Sequence, residues 1–361
     1  MDQPTAWTGS AARSSATQQF EFLGSGGEYF RVWIVNLLLT IVTLGIFSAW
    51  AKVRRLRYFY GNTRLAGSSF EYHGEPLKIL KGRLIAVAFV VPCTIAARFS
   101  PALAIAILVL FAVALPFIVV NSRRFQARNS SWRNIRFDFI GTYREAAFIY
   151  LGLAILSVLT LGLIFPYMMY RRQKFLIGRG KFGVSDIEFG GTTGQFYLSY
   201  LIGAVCGAVG AVALTLYGTW LLGPAFVNVF SGRDPSVMFN YPGQFILLWL
   251  MWIYLYYFVY AIVLARQINA TYGHLRVAGH EIHCEVEISE LGSIYLGNLL
   301  FMTLTLGLYA PWAKVRLARY RIECLQVKLH GSLDNFVAAE SRQISATGSE
   351  LGDLLDLDFG L

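Results

Sequence analysis

The chain has 361 residues, 56% of them hydrophobic and 14% charged, with a mean hydropathy of +0.51 and a net charge of +10. Soluble domains carry about 25% charged residues, so the composition excludes an ordinary water-soluble globule and points to a membrane protein. The cations gather beside apolar runs, as in cytoplasmic loops of membrane proteins, so nucleic acid is not an expected partner.

Residues 1–19 hold no apolar core of signal-peptide type and read as a disordered N-terminal segment. From Phe20 a unit begins that the chain uses three times. In repeat 1 (20–121), FEFLG alternates like a strand, Glu28 follows, and Thr43–Phe59 reads TLGIFSAWAKVRRLRYF. That run is apolar up to a break at Gly45 and then turns cationic. TRLAGSSFEYHG comes next, two short strands around a tight Ala66-Gly67 turn. A pair of apolar helices, about 83–99 and 101–121, ends the unit; Ala102–Val120 is uncharged and long enough to span a bilayer.

Repeat 2 (135–265) has the same parts at constant register: IRFDFIG, Glu145, TLGLIFPYMMYRRQKFL at Thr160–Leu176, and helices 196–222 and 243–265. Phe196–Ser231 and Gln244–Ala265 carry no charge. Repeat 3 (272–337) offers HCEVEIS, Glu290 and TLGLYAPWAKVRLARYR at Thr305–Arg321. Residues 338–361 form an acidic C-terminal tail containing Glu350, Asp353, Asp356 and Asp358, which either docks on the basic face or stays disordered.

The repeats bring like residues into register. Gly45, Gly162 and Gly307 coincide, as do Arg54, Arg171 and Arg316, and Arg57, Lys174 and Arg319. Each TLG segment is followed by a basic cluster, while only Arg98 and Arg233 lie in the turns of the helix pairs. If all three clusters face the cytoplasm, each TLG segment must start and finish on one side. The expected fold class is therefore an α-helical multi-pass membrane protein with a cytoplasmic β-rich layer. It has four full spans plus three re-entrant TLG hairpins; the alternative is seven spans. Hairpins would place Glu28, Glu145 and Glu290 beside Arg54/Arg57, Arg171/Lys174 and Arg316/Arg319, as ion pairs or as sites for anionic headgroups. Topology alone also accounts for those cations.

Gly203, Gly207 and Ala211, with Gly210 beside them, form a ridge of small residues suited to close helix packing. Trp249, Trp252, Tyr256 and Tyr260 share a helix face, which either anchors at the interface or, with the three TLG glycines, lines a path. His280–Cys284 reads HEIHC, whose histidine spacing is not that of HExxH, and the four cysteines form no CxxC pair. No metal, cofactor or catalytic residue is expected. The long apolar helices lack deep charges of the kind proton relays use, and no enzyme motif stands out.

With TLGIFSAWAKVRRLRYFYGNTRL, FEYHGEPLKILKGRL, TLGLYAPWAKVRLARYR and GDLLDLDFGL on view, the chain resembles the YjgN-like family of bacterial inner-membrane proteins. The resemblance implies the bacterial inner membrane, and supplies no activity. Where the first and third copies have AKVRRL and AKVRLA, the middle one has MMYRRQ, which puts a shared role for Lys52 and Lys314 in doubt there. Two functions are in play. One is permease- or channel-like transport of a small solute, favoured by the broken repeats. The other is a non-transporting module that binds anionic lipid or a protein through its basic face. The bilayer is the expected partner, the C-terminus is expected in the cytoplasm, and no protein partner can be named.

Overall fold

The computed structural model describes residues 17–330, 333–334 and 336–343. The chain starts with β1 (Thr17–Phe22), so the strand takes in the last three residues of the segment expected to be disordered. A helical hairpin follows, α1 (Gly26–Val42) and α2 (Ser48–Gly61), and then the strand pair β2 (Thr63–Leu65) and β3 (Ser68–Tyr72). The long helices α3 (Pro76–Ala96) and α4 (Pro101–Arg128) lead to β4 (Ser130–Trp132) and β5 (Ile135–Phe139). The second hairpin runs through α5 (Tyr143–Ala147), a π-helical turn (Phe148–Gly152), α6 (Leu153–Leu159) and α7 (Phe165–Gly178) to β6 (Gly180–Phe182) and β7 (Ser185–Phe189). Next come α8 (Thr193–Leu222), α9 (Pro224–Phe230), a 3-10 turn (Pro235–Asn240) and α10 (Pro242–Tyr272). After β8 (Leu275–Val277) and β9 (His280–Cys284), a third hairpin, α11 (Ile288–Leu304) and α12 (Ala310–Glu323), ends on β10 (Leu325–Lys328).

All ten strands pair antiparallel with their sequence neighbours, and β10 closes on β1 through Thr17↔Lys328, Gln18↔Val327 and Gln19↔Gln326. The expected β-rich layer is thus corrected: the strands form a closed barrel, so the fold is not a helical multi-pass bundle with a β-layer. Closure has a plain physical gain. An open sheet of strands this short would leave two rows of unpaired backbone groups, and joining β1 to β10 removes both. Four strand pairs turn at the end remote from the helices, and Ala66-Gly67, Arg133-Asn134 and Ala278-Gly279 have positive φ at both turn residues.

The barrel is solid. Leu65, Trp132, Ile135, Phe182, Val327 and Leu329 are buried inside it, with Phe20, Phe70 and Phe137 packed on them. Phe70 stacks between Phe20 and Phe137 at 6.1 and 6.4 Å, and Phe137 meets Phe182 at 5.0 Å. Leu333, Phe336 and Val337 enter this core from the turn end, so the helical residues 336–343 seat on the barrel. Glu340, within the sequence assigned to the tail, is buried there; Glu350, Asp353, Asp356 and Asp358 lie outside the described residues.

At the other end, strands pass to helices through an aromatic-x-glycine step. A Cβ at Gly24, Gly74, Gly141 or Gly191 would fall within 2.7 Å of the ring two residues before it, so only glycine lets Phe22, Tyr72, Phe139 and Phe189 fold over the chain. The helices neighbour one another in the same cyclic order as the strands, with α12 returning to α1. Four of them, α3, α4, α8 and α10, are long and apolar enough to cross a membrane. The ridge Gly203 and Gly210 packs on α10, where added Cβ atoms would lie 2.4 Å from Val263 and from Leu255.

Candidate functional site

Each TLG segment is the turn of a helical hairpin whose two ends both rest on the barrel. Leu44, Leu161 and Leu306 sit in the left-handed region (φ 50–52°), followed by Gly45, Gly162 and Gly307 at φ 87–92°. Thr43 fixes the first turn: its hydroxyl donates to Leu39 O (2.7 Å) and accepts from Phe47 N–H (2.9 Å). Thr305 does the same with Phe301 O and Tyr309 N–H. The three glycines stand in open space at these tips, beside leucines that are 94–96% exposed.

The repeated acids first serve their own helices. Glu28 completes a capping box with Ser25, satisfying N–H groups that a helix start leaves free. Glu145 stands in the same place after the Thr142 cap, and Glu290 lies in the first turn of α11. Glu28 also accepts from the Tyr58 hydroxyl (3.4 Å), which in turn bonds Ser25 O at 2.8 Å. Burial, with Glu28 adding to it, pushes the Tyr58 phenol up to about 12.

None of these acids forms an ion pair with the cations named beside it from sequence. Glu145 pairs instead with Arg179, whereas Arg57 Nε donates to Tyr72 O (3.4 Å) and Arg319 Nη2 to Gly24 O (2.8 Å). Arg319 thereby ties the third hairpin to the first. Arg54 lies over the Phe47 ring, 5.4 Å from its centroid, and Arg316 lies over Gly297, where a Cβ would meet Nη1 at 3.2 Å.

The second hairpin gathers its members around a real cavity. A space of about 520 Å³ between α5, α7 and β7 is lined by Glu145, Arg171, Lys174, Arg179, Asp186 and Glu188, with Ile149 and Phe175 among its apolar walls. Arg171 bonds the Tyr167 hydroxyl (3.3 Å) and lies over Phe148, while Lys174 lies over Tyr170. Neither forms an ion pair among the described residues.

The aromatic stripe divides. Trp249 and Trp252 line an apolar space of about 500 Å³ beside α9, at the end of α10 remote from the barrel. Tyr256 and Tyr260 are exposed on the outer surface of the helix. Sequence reading missed Tyr58, Phe175 and Tyr320, which hold matching positions and pin each basic helix to the start of its hairpin; their constant register was the available signal. Asn36 and Asn298, which the repeat register places opposite one another, are buried with their Oδ1 atoms unpartnered.

A closed barrel, four membrane-length helices and three basic hairpins define the architecture of a membrane protein. The chain belongs to the family described as bacterial protein of unknown function (DUF898), whose model matches residues 17–354. It is similar to the inner membrane protein YjgN of Salmonella typhimurium, 25% identical over 362 aligned residues that cover 87% of this chain and 89% of the relative. The YjgN proteins of Escherichia coli O157:H7 and K12 are 30% and 31% identical over 151 residues, covering 41% of this chain and 38% of each relative. No solved structure matches. These relatives, together with the four apolar helices, support a bacterial inner-membrane location.

Proposed function

We propose that the chain is a non-transporting membrane module that binds anionic phospholipid headgroups. It crosses the membrane with α3, α4, α8 and α10, and holds its barrel, basic hairpin shoulders and C-terminus on the cytoplasmic side, as its cations favour. One observation carries the reading. Lys52, Arg54, Arg55, Arg57, Arg171, Arg172, Lys174, Lys314 and Arg316 line the hairpins' second helices, and none forms an ion pair among the described residues. Cations left uncompensated beside apolar helices match a surface of anionic lipid, each contributing about 1 kcal/mol near such a surface. Solute transport has less behind it, because the barrel is packed with aromatic rings and the TLG glycines stand at exposed tips.

Native mass spectrometry of the full chain, extracted in mild detergent, tests the reading. Retained lipids should be enriched in anionic species over the membrane extract. A retained pool of bulk composition, or solute flux into proteoliposomes above empty vesicles, would overturn it.

A further inference from the structure

We infer that Lys52, Arg55, Arg83 and Lys314 form a discrete site for a phospholipid headgroup bearing two phosphates, at the seam where the first and third hairpins meet. The inference rests on the lipid-binding reading above and names the lipid class.

The seam is built by packing. Helix α12 lies along α1: Trp312 stacks on Phe30 at 4.8 Å, and its indole covers Gly26, where a Cβ would fall 2.2 Å from Cδ1. Val315 is buried with Phe22 and Tyr29. Helix α2 rests on the same α1 through Tyr29, whose ring meets Tyr58 at 5.2 Å and Phe59 at 5.0 Å. Helix α3 lies beside α2, and Arg83 Nη1 donates to the Ser48 hydroxyl. Lys52 and Arg55, three residues apart, share a face of α2. Three helices therefore bring four cations to one place.

Their mutual repulsion is on view. Burial holds the Lys52 ammonium below the usual lysine value, and Arg83 and Arg55 push it the same way. Burial and Arg55 likewise lower Lys314. Lys52 and Arg83 are half-buried, whereas Arg55 and Lys314 face the surface. Like charges gathered in this way raise the free energy of the fold, and a nearby carboxylate would relieve it. None of the four has one as an ion-pair partner among the described residues. A bound anion would relieve it instead.

Charge and depth identify that anion. One phosphodiester supplies a single negative charge against four positive ones, so a diphosphatidyl lipid of the cardiolipin type matches better than a monophosphate lipid. Trp50 and Trp312 stand two residues before Lys52 and Lys314, an arrangement typical of headgroup depth. The hairpin tips beyond them are exposed leucines, so the ligand needs acyl chains. The second hairpin has Met169 where the others have lysine, and the seam has no counterpart there.

The test uses delipidated full-length protein in detergent, titrated with cardiolipin, phosphatidylglycerol or inorganic pyrophosphate, and read by thermal shift and native mass spectrometry. Wild type should hold one cardiolipin preferentially, and Lys52→Met/Lys314→Met should bind it about 25-fold more weakly, fivefold per cation. Lys52→Arg/Lys314→Arg should restore binding, and Arg171→Ala, at the second hairpin, should leave this site intact. Without lipid, the double Met variant should melt no lower than wild type, because repulsion has been removed; a purely structural role predicts a lower melting temperature. Equal cardiolipin binding by wild type and the double Met variant overturns the site, and equal response to pyrophosphate overturns the lipid assignment. Failure of wild type to retain any anionic lipid overturns the broader reading instead.

Discussion

Replacing Glu340 by alanine is expected to lift residues 336–343 from the barrel while leaving the barrel closed. Glu340 is only 3% exposed. Its Oε2 accepts from Val184 N–H at 2.9 Å, and its Oε1 accepts from the Ser185 hydroxyl. The carboxylate lies against Gly183, at φ +61°, where a Cβ would meet Oε2 at 2.4 Å. Hydrogen bonds to a charged acceptor contribute about 1.5–3 kcal/mol each, but water can reach the vacated turn and recover part of that. A net loss of about 2–3 kcal/mol is therefore expected. Other anchors include the Phe336 ring, 5.9 Å from Phe182 and 5.2 Å from His280, the Leu333 and Val337 side chains in the barrel core, and the Arg133–Asp334 pair, which adds about 1 kcal/mol at most. Hydrogen exchange in detergent should show the Val184 amide exchanging about 30- to 150-fold faster, with the Ala66-Gly67 turn unchanged as an internal control. Unaltered exchange at Val184 would refute the seating of this segment; acceleration throughout the barrel would refute its role as a local cap.

Along α8, Gly203→Ala should lower the melting temperature by the equivalent of about 1–3 kcal/mol, because its Cβ would fall 2.4 Å from Val263, while Gly207→Ala, with 3.7 Å to Val259, should be nearly neutral. Gly45→Ala meets no neighbour and sits at φ +92°, so its cost, about 1–2 kcal/mol, is backbone strain alone and should persist in any detergent when followed by circular dichroism. His280 has its pKa held below 6.5 by burial and by His330, and its Nδ1 accepts from His330 N–H at 3.1 Å. The unfolded chain binds a proton there before the folded one does. The contribution to stability is thus complete above pH 6.5 and declines as pH falls toward the lower folded value. Denaturation of wild type at pH 7.5 and 5.5 should show a drop that His280→Gln reduces; equal drops in both would refute this assignment.

Local patterns in the chain made several features readable. Alternation marked FEFLG, a Gly after Ala66 marked a turn, and uncharged runs marked three of the four long helices. HCEVEIS, expected as a strand, meets β9 only at His283 and Cys284 and runs on into α11. The strand triplets TRL, SSW, GKF and LRV are too short to show any period, and their partners could be named only by position. The site residues were legible as a repeating register, but not in their pairings. Glu28 and Arg57 proved to serve helix caps and strand carbonyls, roles that depend on how each hairpin leans on the barrel. Doubt about Lys52 and Lys314 came from the deviant middle copy; their approach across α1 follows from packing.

By itself, then, the sequence determined the membrane class, the four long apolar helices, the breaks at the TLG glycines and the asymmetry of charge. Each depends on composition or on residues within a few turns of one another. Tertiary structure alone decided that β10 returns to β1 to close a barrel, that α12 packs against α1, and that Glu340 is buried beneath a turn more than 150 residues earlier. These contacts join segments far apart in the chain, and their gain comes from satisfying strand edges, stacking apolar side chains and pairing buried polar groups, which leaves no periodic mark in the residues themselves.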